Sequence, residues 1–312
     1  MNAGLAIAVF GLGGCASIPD RVAALPVAQS SVEITTTPFY PQERYQCGPA
    51  ALTTVLAFSG VDASLAAITD LTYIPDRQGS LQTELLATAR SHERIPYRID
   101  GTMSALVAEL AAGRPVLVLQ NLGVSWYERW HYAVVIGIDV ASGEVVLRSG
   151  TDRRRVTSAD VFLRTWQRAG YWAVVLLRSG ELPAEPDRDK YFTAIADFET
   201  VSEPQLAWQA WEAALQYWPN DPVALFGMAS VELRQGRFDA AEQRYRVLLA
   251  GHPDMHAARN NLAYALAEQG YITEGLAELQ ELLDRVAVDD PLRDEYEASL
   301  DELESLDKTG SQ

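Results

Sequence analysis

A chain of 312 residues holds about two domains by length, and 48% hydrophobic against 21% charged residues provides for a buried core and excludes wholesale disorder. A net charge of −17 excludes nucleic acid as the expected partner, because phosphates are met by clustered Lys and Arg. The one basic cluster, Arg153-Arg154-Arg155, is too short to change that and reads as a solvated strand or turn. The acidity is uneven: residues 188–312 carry 24 Asp and Glu against 10 Lys and Arg, and residues 1–187 carry 18 against 15. That asymmetry suggests two units with different tasks.

Residues 1–14 contain no charged side chain and lead directly into Cys15. The stretch is too short for a spanning helix, which needs roughly 20 residues, and suits a secretory h-region ending in small residues. Leu12-Gly13-Gly14-Cys15 resembles the bacterial lipobox. That resemblance implies cleavage before Cys15, lipidation of Cys15, and anchorage in the membrane. Ala16 follows the cysteine, with no Asp to hold the protein at the inner membrane, so it implies an outer-membrane lipoprotein facing the periplasm. Of the two cysteines, Cys47 would then have no disulfide partner, and a lone thiol in an exported chain invites a search for chemistry. No CxxC or HExxH pattern points to a metal, and no cofactor is expected.

Residues 15–33 read as an Ala-, Ser- and Pro-rich tether, and residues 34–179 as a mixed domain. In chain order the predicted elements are a short strand at Val32–Thr36 and a helix at Pro49–Phe58, opened by Pro49 and closed by Gly60. Helices follow at Leu81–Ser91, with Ser80 as N-cap, and at Ser104–Ala112, closed by Gly113. Strands then gather: Pro115–Gln120, His131–Asp139 and Glu144–Arg148 joined as a hairpin, and Tyr171–Leu177. Helices early and strands late give an α+β domain. A Pro-rich acidic linker occupies residues 180–187.

Beyond the linker the pattern is nearly all helical and repeats every 34 residues. Ala207, Ala241 and Gly275 fall in register, as do Trp211, Tyr245 and Leu279, and Ala214, Leu248 and Leu282. Pro219 and Pro253 keep the same spacing, and Gly236 and Gly270 mark turns within helix pairs. Small residues at one position and large apolar ones at others let helix pairs stack. These residues resemble tetratricopeptide repeats, which implies an all-α solenoid over residues 188–306 with an acidic capping helix. Such arrays bind protein partners; the acidity of this one fits a basic partner or a merely soluble surface.

The most informative segment is Tyr40–Leu56, YPQERYQCGPAALTTVL. A cysteine just ahead of Gly-Pro and an apolar helix would sit at a helix N-terminus, where unpaired N–H groups favour an anion and lower a thiol's pKa. The plain alternative is a small hydrophobe packed in a core. A thiol nucleophile needs a base, normally an imidazole. Of the four histidines, His252 and His256 lie in the repeats and His92 trails a surface helix. His131 heads the strand HYAVVIGID, just after Trp126, Tyr127 and Trp130.

Gln42, Cys47-Gly48-Pro49-Ala50 and the His131 strand together resemble the papain-like family of bacteriocin-processing, double-glycine peptidases. Gly79-Ser80-Leu81 and Gly113-Arg114-Pro115-Val116 read like that family's intervening elements. The resemblance implies a papain-like cysteine peptidase fold and a peptide or protein substrate. It makes Cys47 the nucleophile, His131 general base and then acid, and Gln42 an oxyanion-hole donor, with Gln46 a weaker candidate because many members space the glutamine one residue farther from the cysteine. Where the family places Asp before Pro on the next strand, this chain has Ser149-Gly150. Pairing Asp139 with Glu144 would instead set Asp152 opposite His131, so either Ser149 or Asp152 would orient the imidazole. Three activities follow: a lipid-anchored peptidase with a substrate-recruiting array, a degenerate peptide-binding scaffold, or a thiol-dependent acyl or amide transferase.

Overall fold

The computed structural model describes residues 31–42, 45–124 and 126–310; the signal segment, Cys15 and nearly all of the tether lie outside them. A seven-stranded antiparallel sheet has the order β2-β7-β3-β4-β5-β6, with β1 paired to the far end of β4. The strands are β1 (Ser31–Glu33), β2 (Ile95–Arg98), β3 (Val116–Asn121), β4 (Trp130–Asp139), β5 (Glu144–Ser149), β6 (Asp152–Ser158) and β7 (Ala173–Leu177).

Side chains alternate across a strand, and both sheet faces are covered. Tyr132, Val134 and Ile136 of β4, with Leu117 and Leu119 of β3, meet Leu52, Val55 and Leu56 of helix α1 (Cys47–Phe58). The same face receives α2 (Leu65–Thr72) through Ile68 and α3 (Gln82–Ser91) through Leu85 and Ala89. On the other face Ala133, Val135 and Val118 meet α4 (Met103–Ala111) through Leu106 and α5 (Ala159–Gln167) through Phe162 and Trp166. Helices on both faces of one sheet make an α+β domain, as the element pattern predicts.

Several expected boundaries move. The first strand stops at Glu33. Ser80 is no N-cap: Leu81 takes that position, and the Ser80 hydroxyl is buried without a hydrogen-bond partner. It fills space instead, since a Cβ on Gly48 would stand 2.7 Å from it.

Helices α6 (Arg188–Glu199), α7 (Pro204–Tyr217), α8 (Pro222–Arg234), α9 (Phe238–Gly251), α10 (His256–Glu268), α11 (Ile272–Arg285) and α12 (Arg293–Gly310) complete the chain. Every in-register apolar position of the repeat is buried, Ala207, Trp211, Tyr245, Leu248, Leu279 and Leu282 among them. Gly236 and Gly270 adopt φ of 70° and 89°, the left-handed turn that glycine takes without penalty. A Cβ on Gly227 would stand 2.4 Å from the Trp211 indole. Gly227→Ala is therefore expected to cost about 1–3 kcal/mol by overpacking, read as a lower urea midpoint.

The segment between the two units is packed rather than loose. Glu109 accepts from the Ala184 N–H at 2.8 Å, the Tyr97 hydroxyl accepts from the Asp187 N–H at 3.1 Å, and the Tyr191 hydroxyl donates to the Glu181 carbonyl at 2.8 Å. Ion pairs Lys190–Asp100 and Arg90–Asp197 close the flanks. Tyr191, Phe192, Ile195 and Phe198 of α6 join Tyr97 of β2 and Leu106 of α4 in one continuous apolar cluster that runs on to Trp211. The expected linker is thus pinned at both ends, with Leu182 packed against that cluster.

Candidate active site

Cys47 opens α1, and the end is left uncapped. Gln46 makes no side-chain cap, and the first helical bond is Ala50 N–H to the Gln46 carbonyl at 3.1 Å. The N–H groups of Cys47 and Gly48 therefore have no helical acceptor, and Pro49 in the first turn has none to offer. Just upstream, Tyr45 holds φ at 70°, an uncommon conformation for a bulky residue that turns the chain into the helix.

The thiol is free and partly buried. Backbone N–H groups of Tyr132, Gly48 and Cys47 itself draw its pKa down, but burial outweighs them and pushes it above the ordinary thiol value. This corrects the expectation of a depressed pKa: the helix end supplies the donors, and desolvation of a buried anion costs more than they return. The Tyr132 amide belongs to the residue after His131, so the sulfur lies against the backbone of β4.

His131 pairs with Gln120 across β3. Its Nε2 shares a 2.8 Å hydrogen bond with the Ser149 hydroxyl. Burial, with the positive charges of Arg155 and Arg129, lowers its pKa to about 4. Among the described residues no hydrogen bond reaches Nδ1, and none joins the ring to the Cys47 sulfur. Contacts of this kind commonly tighten only when substrate is bound. Asp152, the alternative orienter, stands away from the ring: it pairs with Ser149 in the hairpin, is exposed, and faces Arg155 at 3.6 Å. The register does pair Asp139 with Glu144, but β5 stops short of His131 on that edge and irregularities in both strand pairs shift the tip.

Gln42 reaches the same place from the N-terminal side. Its backbone N–H donates to the Gly150 carbonyl at 3.2 Å. Gln42, Cys47, Tyr132, Ser149 and Gly150 line one small pocket of about 10 Å³. Gln46, the weaker candidate, does not line it. The segment carrying Gln42 is secured by a residue that the motif search missed, Arg148. Its buried guanidinium donates to the carbonyls of Thr35 (3.1 Å), Thr37 (2.7 Å) and Arg153. The signal was present in the sequence as a lone charge at the end of an apolar strand, but its partners were not. A roomier cavity, about 160 Å³, opens at the opposite end of α1, where Arg94 and Arg178 hold the Ser59 carbonyl. It is remote from Cys47. Among the described residues no group of three His, Cys, Asp or Glu side chains could hold a metal ion.

The model of the Peptidase_C39 like family matches residues 34–174, and a tetratricopeptide-repeat model matches residues 197–249 and 226–290. The chain is a C39-like domain joined to tetratricopeptide repeats. The C39-like domain resembles the crystal structure of a Bacillus anthracis protein assigned as a C39-like peptidase, with TM-score 0.39 and 14% identity over 47% of this chain and 98% of that one. A second similar structure is the MamA RS-1 ArsTM double mutant, with TM-score 0.35 and 18% identity over 39% of this chain and 66% of that one. The chain has no match among curated proteins.

With the imidazole held neutral down to about 4, the acid limb of any pH–rate profile is expected near pH 4 rather than 6.5. The sign follows if His131 serves as base: it would be competent above its pKa and lost as pH falls through it. For the same reason stability should decline as pH drops from 6.5 towards 4, because the unfolded chain binds the proton first. Profiles of kcat/KM against pH check the first point, and urea midpoints at several pH values check the second.

Proposed function

We propose that the protein is a cysteine peptidase acting on a peptide or protein substrate that the repeat array helps recruit. The observation that carries this reading is the convergence of three separated segments on one pocket: the thiol at an uncapped helix end, Gln42, and the Ser149 that bonds His131. Both groups rest neutral, so the proton moves during attack rather than before it. The Cys47 thiol gives its proton to Nδ1 of His131 as sulfur bonds the substrate carbonyl carbon. The Cys47 N–H and the Gln42 amide receive the developing oxyanion. The imidazolium then protonates the departing amine, leaving a thioester. Water attacks that thioester with its proton passing to Nδ1, and the thiol is regenerated. Ser149 fixes the ring through Nε2 but bears no charge to stabilise the imidazolium, so it does less than a carboxylate would.

The same neutral Ser149 favours a second reading, a peptide-binding scaffold that has lost turnover. In either case we place the protein outside the cytoplasm, tethered through Cys15 as an outer-membrane lipoprotein facing the periplasm, on the strength of the lipobox resemblance. The test compares the termini of extracytoplasmic proteins in wild-type cells and cells carrying Cys47→Ala. New N-termini present only in the wild type support the peptidase. Identical termini together with an unchanged cellular phenotype leave the scaffold.

A further inference from the structure

Between β3 and β4 the chain makes a hairpin that is built with care and buries almost nothing. The Asn121 side chain accepts from the N–H groups of Gly123 (2.9 Å) and Arg129 (3.0 Å), and the Leu122 N–H donates to the Arg129 carbonyl at 2.8 Å. Val124 and Tyr127 exchange both backbone bonds at 3.0 Å. Arg168, the C-cap of α5, clamps the base by donating to the Asn121 carbonyl at 3.1 and 2.9 Å. Gly123 admits no side chain, since a Cβ there would stand 2.0 Å from the Tyr127 carbonyl oxygen.

What this scaffold displays is apolar. Trp126 is 85% exposed, Tyr127 63% and Trp130 51%, with Leu122 and Val124 also largely in solvent. The Trp130 indole is held by a 3.2 Å bond to Glu128. Single exposed apolar side chains are ordinary, but a rigid cluster of them marks a binding surface. Large aromatic rings held in place are the residues that most often dominate such surfaces, because little side-chain freedom is lost when they are covered. This cluster ends at Trp130, two residues ahead of Tyr132 on the same face of β4, and Tyr132 lines the pocket with Cys47.

We infer that the Leu122–Trp130 hairpin is a substrate platform that selects peptides carrying large apolar side chains close to the bond presented to Cys47. The inference rests on the peptidase reading for its placement but is tested by binding. The full-length Cys47→Ala protein, which cannot consume what it holds, selects from a randomised peptide library. Enrichment of Leu, Ile, Phe or Trp is expected, and Trp126→Ala/Tyr127→Ala should weaken the selected peptides by about 10- to 100-fold. Gly123→Ala, which keeps the aromatics but breaks the hairpin, should weaken them comparably. No apolar enrichment, or a change under about twofold in the double variant, overturns the platform. It is overturned equally if no peptide is selected while phosphatidylethanolamine–phosphatidylglycerol vesicles bind and the double variant abolishes that binding, since the hairpin then faces lipid. Peptides that bind through the hairpin yet stay intact with the wild type would uphold the platform and remove the peptidase reading.

Discussion

Replacing His131 by alanine is expected to lower kcat/KM about 10³-fold on any peptide the protein cleaves, because the thiol, already raised by burial, loses the base proposed to take its proton. Ser149→Ala should cost about tenfold, since the ring keeps its place in β4 but loses the bond that fixes its orientation. Ser149→Asp sets a carboxylate at the same nitrogen. It should raise the imidazole from about 4 towards its ordinary value, move the acid limb of the profile upward with it, and increase turnover. Steady-state rates over pH 3.5–9 for the wild type and these variants decide the matter. A His131→Ala protein within twofold of the wild type would end the mechanism.

Phe198→Ala is the most damaging change expected away from the pocket. Phe198 is wholly buried in the cluster shared by α6, β2 and α4, so its truncation should cost about 3–5 kcal/mol. Because that cluster continues into the sheet, the C39-like domain should weaken along with the repeats it supports. Urea unfolding followed separately by sheet-sensitive and helix-sensitive signals should show both falling to a lower midpoint. A sheet transition that stays put would mean that the two units are independent.

The apolar strands were legible because alternation or continuous Val, Leu and Ile runs identify them without reference to anything distant. The repeats were legible because small and large residues recur in register, and the stacked helices bury just those positions. β6 was legible only as a solvated strand or turn at Arg153-Arg154-Arg155, because DRRRVTS shows no apolar face: it is a solvated edge whose pairing with β5 supplies the reason to be extended. α5 was missed for a related reason. Its N-cap Ser158 closes that charged edge strand, and its buried face, Phe162, Thr165 and Trp166, has meaning only once Val116 and Val118 lie beneath it. Cys47 and Gln42, which line the pocket, and His131, which bonds Ser149 of its lining, were singled out by motif. The choice between Ser149 and Asp152 needed the bulged register, and the direction of the thiol's shift needed burial, a property of the assembled fold.

Arg148 has a consequence for the order in which the molecule comes together. It is separated by 111 and 113 residues from the carbonyls of Thr37 and Thr35 that it gathers. A nascent chain emerging N-terminus first exposes Cys47 long before that guanidinium exists. Until it arrives, the Thr35 and Thr37 carbonyls lack the donor that ties the Gln42 segment to β5. The tie that holds the Gln42 segment is therefore a late event of folding, waiting on a contact more than a hundred residues distant.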